Sequence, residues 1–134
     1  ENGNFENLIA NALRSNPDWL VIAESRGREM IYILNSVMTG HPIITTIHAK
    51  SSLNIPHRMV RMIQMGDKSQ SYEELIGDIF EHIKYYIFLN KSIDEKGNIH
   101  RFVDEISTVI NNELKLIYKK GEKDNENRIR NWFN

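Results

Sequence analysis

Two short apolar runs, Trp19-Leu20-Val21-Ile22-Ala23 and Ile43-Ile44-Thr45-Thr46-Ile47, flank a helical pattern, and they constrain this chain more than any other feature. A continuous apolar run suits a strand covered on both faces, as in a parallel sheet, and the second run is rich in β-branched residues. Between them Met30, Ile33, Leu34 and Val37 fall on one helical face, with Gly40 where a left-handed C′ residue is needed. A helix also precedes the first run: Phe5, Leu8, Ile9, Ala12 and Leu13 recur at helical spacing, Asn4 can cap its start and Pro17 stops it. Helix, strand, helix, strand is the alternation of a parallel α/β sheet.

The second half has a different period. Pro56 suits the first turn of a helix carrying Met59, Val60, Met62 and Ile63. After a loop over Gly66–Ser71, a further helix is expected at Tyr72–Ile83, with Leu75, Ile76, Ile79, Phe80 and Ile83 inward. Tyr86–Leu89, a turn at Asp94–Asn98 and the run Ile99–Val109 predict a β-hairpin. Asn111-Asn112 then breaks the chain before a third antiparallel strand in which Leu114, Leu116 and Tyr118 alternate with polar residues. Lys119–Arg130 is dense in charge and reads as a solvated loop or frayed helix.

Composition narrows the function classes. With 17 basic against 18 acidic residues among 134, the chain has a formal net charge of −1, which argues against nucleic acid as a direct partner. No apolar run approaches the ~18 residues of a membrane span, and the polar start Glu1–Glu6 is unlike a signal peptide. Cysteine is absent, so there are neither disulfides nor thiolate metal sites, in keeping with a cytoplasmic protein.

Chemistry concentrates at the ends of the two expected strands. Glu24-Ser25-Arg26-Gly27 places a carboxylate at the carboxyl edge of a parallel sheet, where open α/β sheets bind ligands. A solvated carboxylate paired with Arg26 or Arg28 is the other reading of the same residues. His48 ends the second strand at the same edge and can donate to a phosphate oxygen; a helix-capping or core histidine is its alternative. His41, His57, His82 and His100 lack the helix spacing of a zinc hydrolase. Arg58 and Arg61, on adjacent helical turns, suit either a phosphate, a neighbouring subunit or plain solvent. Gly66-Asp67-Lys68-Ser69 fails as a phosphate loop, because Asp67 and Met62 occupy its two glycine positions.

With both strand ends placed, the stretches LIANALRSNPDWLVIAESRG (8–27) and TGHPIITTIHAKSS (39–52) resemble the Walker B region and His box of the type II/type IV secretion ATPases. These are bacterial hexameric motors of secretion, pilus assembly and conjugation, and the order of motifs is most similar to the tight-adherence pilus branch. The resemblance implies the C-terminal part of a RecA-like P-loop ATPase domain at residues 1–118, followed by an antiparallel β-meander within it and a charged tail at 119–134. It implies Glu24 as the Walker B glutamate that polarises water near magnesium, acting on the metal indirectly through water. It likewise implies His48 as the His-box residue approaching the terminal phosphate, Arg26 as part of the nucleotide edge, and Thr45 and Thr46 as supporting groups in nucleotide binding. Ala23 and Ser25 depart from the family's usual glycine and apolar residue. The implied cofactors are ATP and magnesium. The implied partners are further copies in a hexameric ring and the inner-membrane secretion or pilus platform proteins, at the cytoplasmic face of the membrane.

The family's Walker A and Asp box precede its Walker B region, so Glu1 looks like a truncation. The chain by itself is then expected to be inactive, and to self-associate through a bare sheet edge or face. A noncatalytic module that binds a partner ATPase or an inner-membrane secretion protein is the competing expectation.

Overall fold

In the computed structural model, which describes residues 2–23 and 25–133, with burial and side-chain contacts for 4–23 and 25–131, the chain is a mixed α/β protein. The elements run α1 (Asn2–Arg14), β1 (Leu20–Ile22), α2 (Met30–Met38), β2 (Ile43–Thr45), a 3-10 turn at Ser52–Asn54, α3 (Ile55–Gly66), α4 (Tyr72–His82), β3 (Tyr85–Ile93), β4 (Ile99–Ile110), β5 (Glu113–Lys119) and α5 (Asn125–Phe133). They divide into two compact units. One holds the residues up to His48 together with Pro56–Ile83; the other holds Ala49–Ile55 and the chain from Lys84 onward.

In the first unit β1 and β2 pair in parallel, with Leu20 opposite Ile43, Val21 opposite Ile44 and Ile22 opposite Thr45. Parallel strands need a crossover between them, and α2 supplies it. Its buried residues are Met30, Ile33, Leu34 and Ser36, and Gly40 at φ +90° lets the chain turn out of the helix. The core is completed by Ile9, Met59, Val60, Met62, Ile63, Leu75 and Ile79. Helix α4 starts in a reciprocal capping box: the Ser71 hydroxyl accepts from the Glu74 amide, and the Glu74 carboxylate accepts from the Ser71 amide at 2.8 Å.

Several expectations change. The strands are three residues long, not five, and they are not covered on both faces: Val21 is 68% and Ile44 52% exposed, with Trp19 exposed beside them. Successive strand residues point to opposite faces, so a two-stranded sheet covered on one side leaves alternate residues in solvent. Asn4 does not cap α1, because the helix already begins at Asn2, and Leu8 faces outward while Ile9 is buried.

The second unit is a three-stranded antiparallel meander in the order β3-β4-β5. The first hairpin turns at Gly97, φ +83°, and is organised by Asp94. The Asp94 carboxylate accepts from the backbone amides of Lys96 and Asn98, the Asn98 side chain and His100 Nε2, all at 2.9–3.0 Å. The second hairpin turns on Asn111 and Asn112, both at positive φ (52° and 60°), the backbone that a two-residue type I′ turn requires and asparagine tolerates. Each pair of strands carries one bulge. Asp104 is the extra residue between the Phe88–Glu105 and Leu89–Val103 pairs, and Ile117 between the Ile106–Tyr118 and Ser107–Leu116 pairs.

The charge-dense stretch after β5 is more ordered than its composition implies. The Asn125 side chain accepts from the Lys119 amide and donates to the Lys119 and Glu122 carbonyls, and Arg128 pairs with Glu122. These local bonds tie the start of α5 to the end of β5.

Two consequences can be measured. The hydrogen bond from His100, followed by those from Asn98 and the turn amides, lowers the Asp94 pKa from 3.8 to about 2. A depressed carboxylate pKa stabilises the fold above its ordinary value and loses that contribution as pH falls through the folded value. The Asp94 carboxyl carbon should therefore titrate near 2 by NMR, with hairpin protection falling between 3.8 and about 2. Separately, a Cβ at Gly66 would lie 2.6 Å from Arg28 Cβ. Gly66→Ala should cost about 1–3 kcal/mol by urea denaturation, the usual cost of overpacking.

Candidate functional site at the carboxyl edge of the parallel strands

The register of β1 with β2 brings the two chemistry-bearing segments out of the sheet side by side. Beyond the last strand pair, the Ser25 amide still donates to the Thr46 carbonyl at 3.0 Å. The chain leaving β1 and the chain leaving β2 therefore run together past the end of the ladder. Arg26, Thr46 and His48 are exposed there and Thr45 is half-buried. Glu24 lies outside the described residues.

The turn that follows β1 is shaped by a residue the sequence pattern did not single out. Glu29 Oε1 accepts from the backbone amides of Arg26 (2.7 Å) and Gly27 (3.0 Å). Partial burial pushes its carboxyl upward, but these amides and the Arg26 charge outweigh that effect and hold Glu29 below the usual carboxylate range. Glu29 is thus ionised and fixed, and it sets the backbone on which the Arg26 side chain is presented. The only hint in the sequence was a carboxylate two residues after a glycine, a weak signal.

Two hydroxyls at this edge are unpaid. Ser25 is 2% exposed, and Ser25 Oγ and Thr45 Oγ1 are buried with no hydrogen-bond partner among the described residues. Buried polar atoms are normally satisfied, so each marks a place where the fold forgoes stability. Thr45 was expected at this edge on sequence grounds, but Ser25 was not. A groove of about 330 Å³ lies elsewhere in the same unit, lined by Phe5, Arg28, Tyr32, Ile63 and Gly66 among others. It includes none of Arg26, Thr45, Thr46 and His48.

The donor set at the edge comprises an imidazole, a guanidinium and threonine hydroxyls, groups that suit an anion such as a phosphate. Among the described residues no group of three His, Asp or Glu could hold a metal ion. Nor is any described helix long and apolar enough to cross a membrane.

Because its hydroxyl is buried and unpartnered, Ser25→Ala should leave stability unchanged or raise it by up to about 1 kcal/mol, in contrast to the loss that follows removal of a bonded serine. Urea unfolding measures this, and a clear loss would show that the hydroxyl has a partner.

Comparison with known proteins agrees with the fold. A family model described as "Type II/IV secretion system protein" matches residues 2–117. An uncharacterized protein of Bacillus anthracis is 33% identical over 108 residues, covering 76% of this chain and 24% of its own length. The competence protein ComGA of Streptococcus pneumoniae is 37% identical over 59 residues, covering 43% of this chain and 19% of its own. The X-ray structure of the Yersinia pseudotuberculosis ATPase DotB shares the fold with a TM-score of 0.64 at 22% identity, covering 78% of this chain and 26% of that one. The chain spans about a quarter or less of the length of each of these proteins. With a match that runs through both units and takes in both strand ends, the chain belongs to the type II/IV secretion system protein family.

Proposed function

We propose that this chain is the C-terminal portion of a hexameric ATPase that powers type II/IV secretion, pilus assembly or conjugation, working with inner-membrane platform proteins at the cytoplasmic face of the membrane. In this reading residues 1–118 belong to the nucleotide-binding domain, and 119–134 form a charged tail. The observation that carries it is the parallel register that continues from Ile22–Thr45 to the Ser25–Thr46 hydrogen bond. Through it, the segments bearing Arg26 and His48 leave the sheet at the edge where open α/β folds bind their ligands.

Each residue then has a role. Glu24 polarises the attacking water, and it meets magnesium only through water. His48 donates to the terminal phosphate, so that its hydrogen bond differs between the triphosphate and the diphosphate. Arg26 and the hydroxyls of Thr45 and Thr46 supply further donors around the nucleotide, with Glu29 holding the Arg26 backbone in place. The Mg-ATP substrate brings the metal and the phosphoanhydride bond. Its phosphates need a glycine-rich loop with a lysine, and no such motif occurs in these 134 residues. ATP hydrolysis is accordingly assigned to the full-length protein, in an assembly of several copies.

The second reading, a noncatalytic module that binds a partner ATPase or an inner-membrane secretion protein, draws support from the exposed Trp19, Val21 and Ile44. Steady-state hydrolysis by the full-length protein separates the two. Glu24→Gln keeps the shape of the side chain and removes its charge, so turnover should fall at least ~10²-fold, the scale for losing a positioned base, while nucleotide binding survives. Wild-type turnover in that variant would remove Glu24 from the site, whereas no hydrolysis by the unsubstituted full-length protein would favour the noncatalytic reading.

A further inference from the structure

The distal part of the first hairpin runs on beyond the three-stranded sheet. β4 pairs with β5 only from Glu105 to Ile110, so Leu89–Ile93 and Ile99–Val103 form a two-stranded ribbon whose strands pair only with each other among the described residues. Residues directly opposite in an antiparallel pair share a face, and every second pair returns to the same face. Leu89 with Val103, Lys91 with Arg101 and Ile93 with Ile99 therefore line one face. Asn90 with Phe102 and Ser92 with His100 line the other. That second face is occupied: the Asn90 side chain donates to Asp104, Lys120 Nζ lies 3.4 Å from the Phe102 ring centroid, and His100 is bonded to Asp94.

The first face is unfinished. Leu89 is 66%, Ile93 65%, Ile99 48% and Val103 36% exposed, on a ribbon that two strands alone stabilise only marginally. Between them stand Lys91 and Arg101, exposed, directly opposite each other and without an ion pair among the described residues. Like charges in that position repel. One kind of partner relieves both costs, an apolar surface with carboxylates set into it. Asp94 and Glu95 at the tip of the ribbon disfavour an anionic membrane, which repels carboxylates.

The chain itself carries a surface of the required chemistry. The first unit has six basic against ten acidic residues, the second eleven against eight. Four of the ten, Glu73, Glu74, Asp78 and Glu81, lie on α4, which has no lysine or arginine and buries Leu75 and Ile79. Glu73, Gly77 and Glu81 recur every four residues as an exposed stripe of this helix. Beside it are Tyr72, 36% exposed, and the half-buried Ile76. Glycine inside a helix costs stability relative to alanine, and a Cβ at Gly77 would meet nothing within 4 Å. Packing within this chain therefore does not call for glycine there, whereas the close approach of a second chain does.

We propose that the Lys91–Arg101 face of the ribbon in one copy docks on the Glu73–Gly77–Glu81 stripe of α4 in the next copy. This rests on the reading of the full-length protein as a ring of copies. The two surfaces differ, so the contact is head-to-tail, the type that closes into rings.

The test is sedimentation velocity of the full-length protein with saturating Mg-ATP. Reversing the ribbon (Lys91→Glu with Arg101→Glu) or the helix (Glu73→Lys with Glu81→Lys) should raise the dissociation constant of the assembly at least ~10-fold, because like charges then meet at the contact. An equimolar mixture of the two variants should reassemble, since each reversed surface meets one of opposite sign. Gly77→Gln leaves every charge in place. It should raise the urea midpoint, glycine being the poorer helix former, and still weaken assembly at least ~10-fold, a combination that general destabilisation does not produce. Reversed variants that assemble like the wild type, or a mixture of folded variants that stays dissociated, overturn this inference alone. If a reversal does not fold, Gly77→Gln decides, and wild-type assembly in it overturns the contact. Reversals that leave assembly intact but abolish binding of the inner-membrane platform protein give the ribbon that occupant instead and likewise overturn the inference. A wild-type protein that stays monomeric overturns the ring reading as well.

Discussion

Two strands of three residues each, paired in parallel, cannot be joined by a tight turn, and this requirement organises the first unit. The link from Ile22 to Ile43 has to cross over the sheet, and α2 does so with Met30, Ile33 and Leu34 buried beneath it. The crossover carries the chain from the carboxyl end of β1 back to the opposite end of the sheet, so β2 starts where β1 started and both strands present their carboxyl ends at one edge. The candidate site follows from that. The Ser25–Thr46 hydrogen bond extends the alignment past the ladder, and Glu29 fixes the turn after β1. The hydroxyls of Ser25 and Thr45 at this edge are buried with no hydrogen-bond partner among the described residues.

The second unit is built on a different physical basis. Its strands are joined by short turns whose geometry is dictated by single residues: Gly97 and Asp94 in one hairpin, Asn111 and Asn112 in the other. Its tertiary specificity comes from polar contacts as much as from apolar burial. Ser52, Ser107 and Thr108 are buried, and the Thr108 hydroxyl donates to the Lys84 carbonyl at 2.8 Å. A fully satisfied polar network of this kind fixes one arrangement where an apolar surface would tolerate several.

Much of this was legible in the residues. The helix faces of α2, α3 and α4, the parallel pair and the antiparallel meander all follow from apolar periodicity and from the turn residues Gly40, Gly97 and Asn111-Asn112. These are local signals, encoded within a few residues of where they act. The positions of Arg26, Thr45, Thr46 and His48 at strand ends were legible for the same reason, because a strand that stops abruptly places its next residue at a sheet edge. The exposure of Val21 and Ile44 was not. An apolar run reports what a strand can bury, whereas what covers it depends on which other elements reach it. The ordered start of α5 was missed because a single asparagine, Asn125, does work that composition does not record.

By itself the sequence determined the kinds of elements, their order and the residue types delivered to the end of each strand, since dihedral preference, side-chain period and turn chemistry act over short range. Only the tertiary structure decided which distant groups meet. Glu105 and Ser52 carry no spacing that links them, yet Glu105 Oε2 accepts from both the Ser52 amide and its hydroxyl. Glu29 became part of the candidate site by the same logic, through a turn that brings its carboxylate back onto the amides of Arg26 and Gly27. Hydrogen bonds are short and directional, so partners are chosen by where the folded backbone places them and not by their order along the chain.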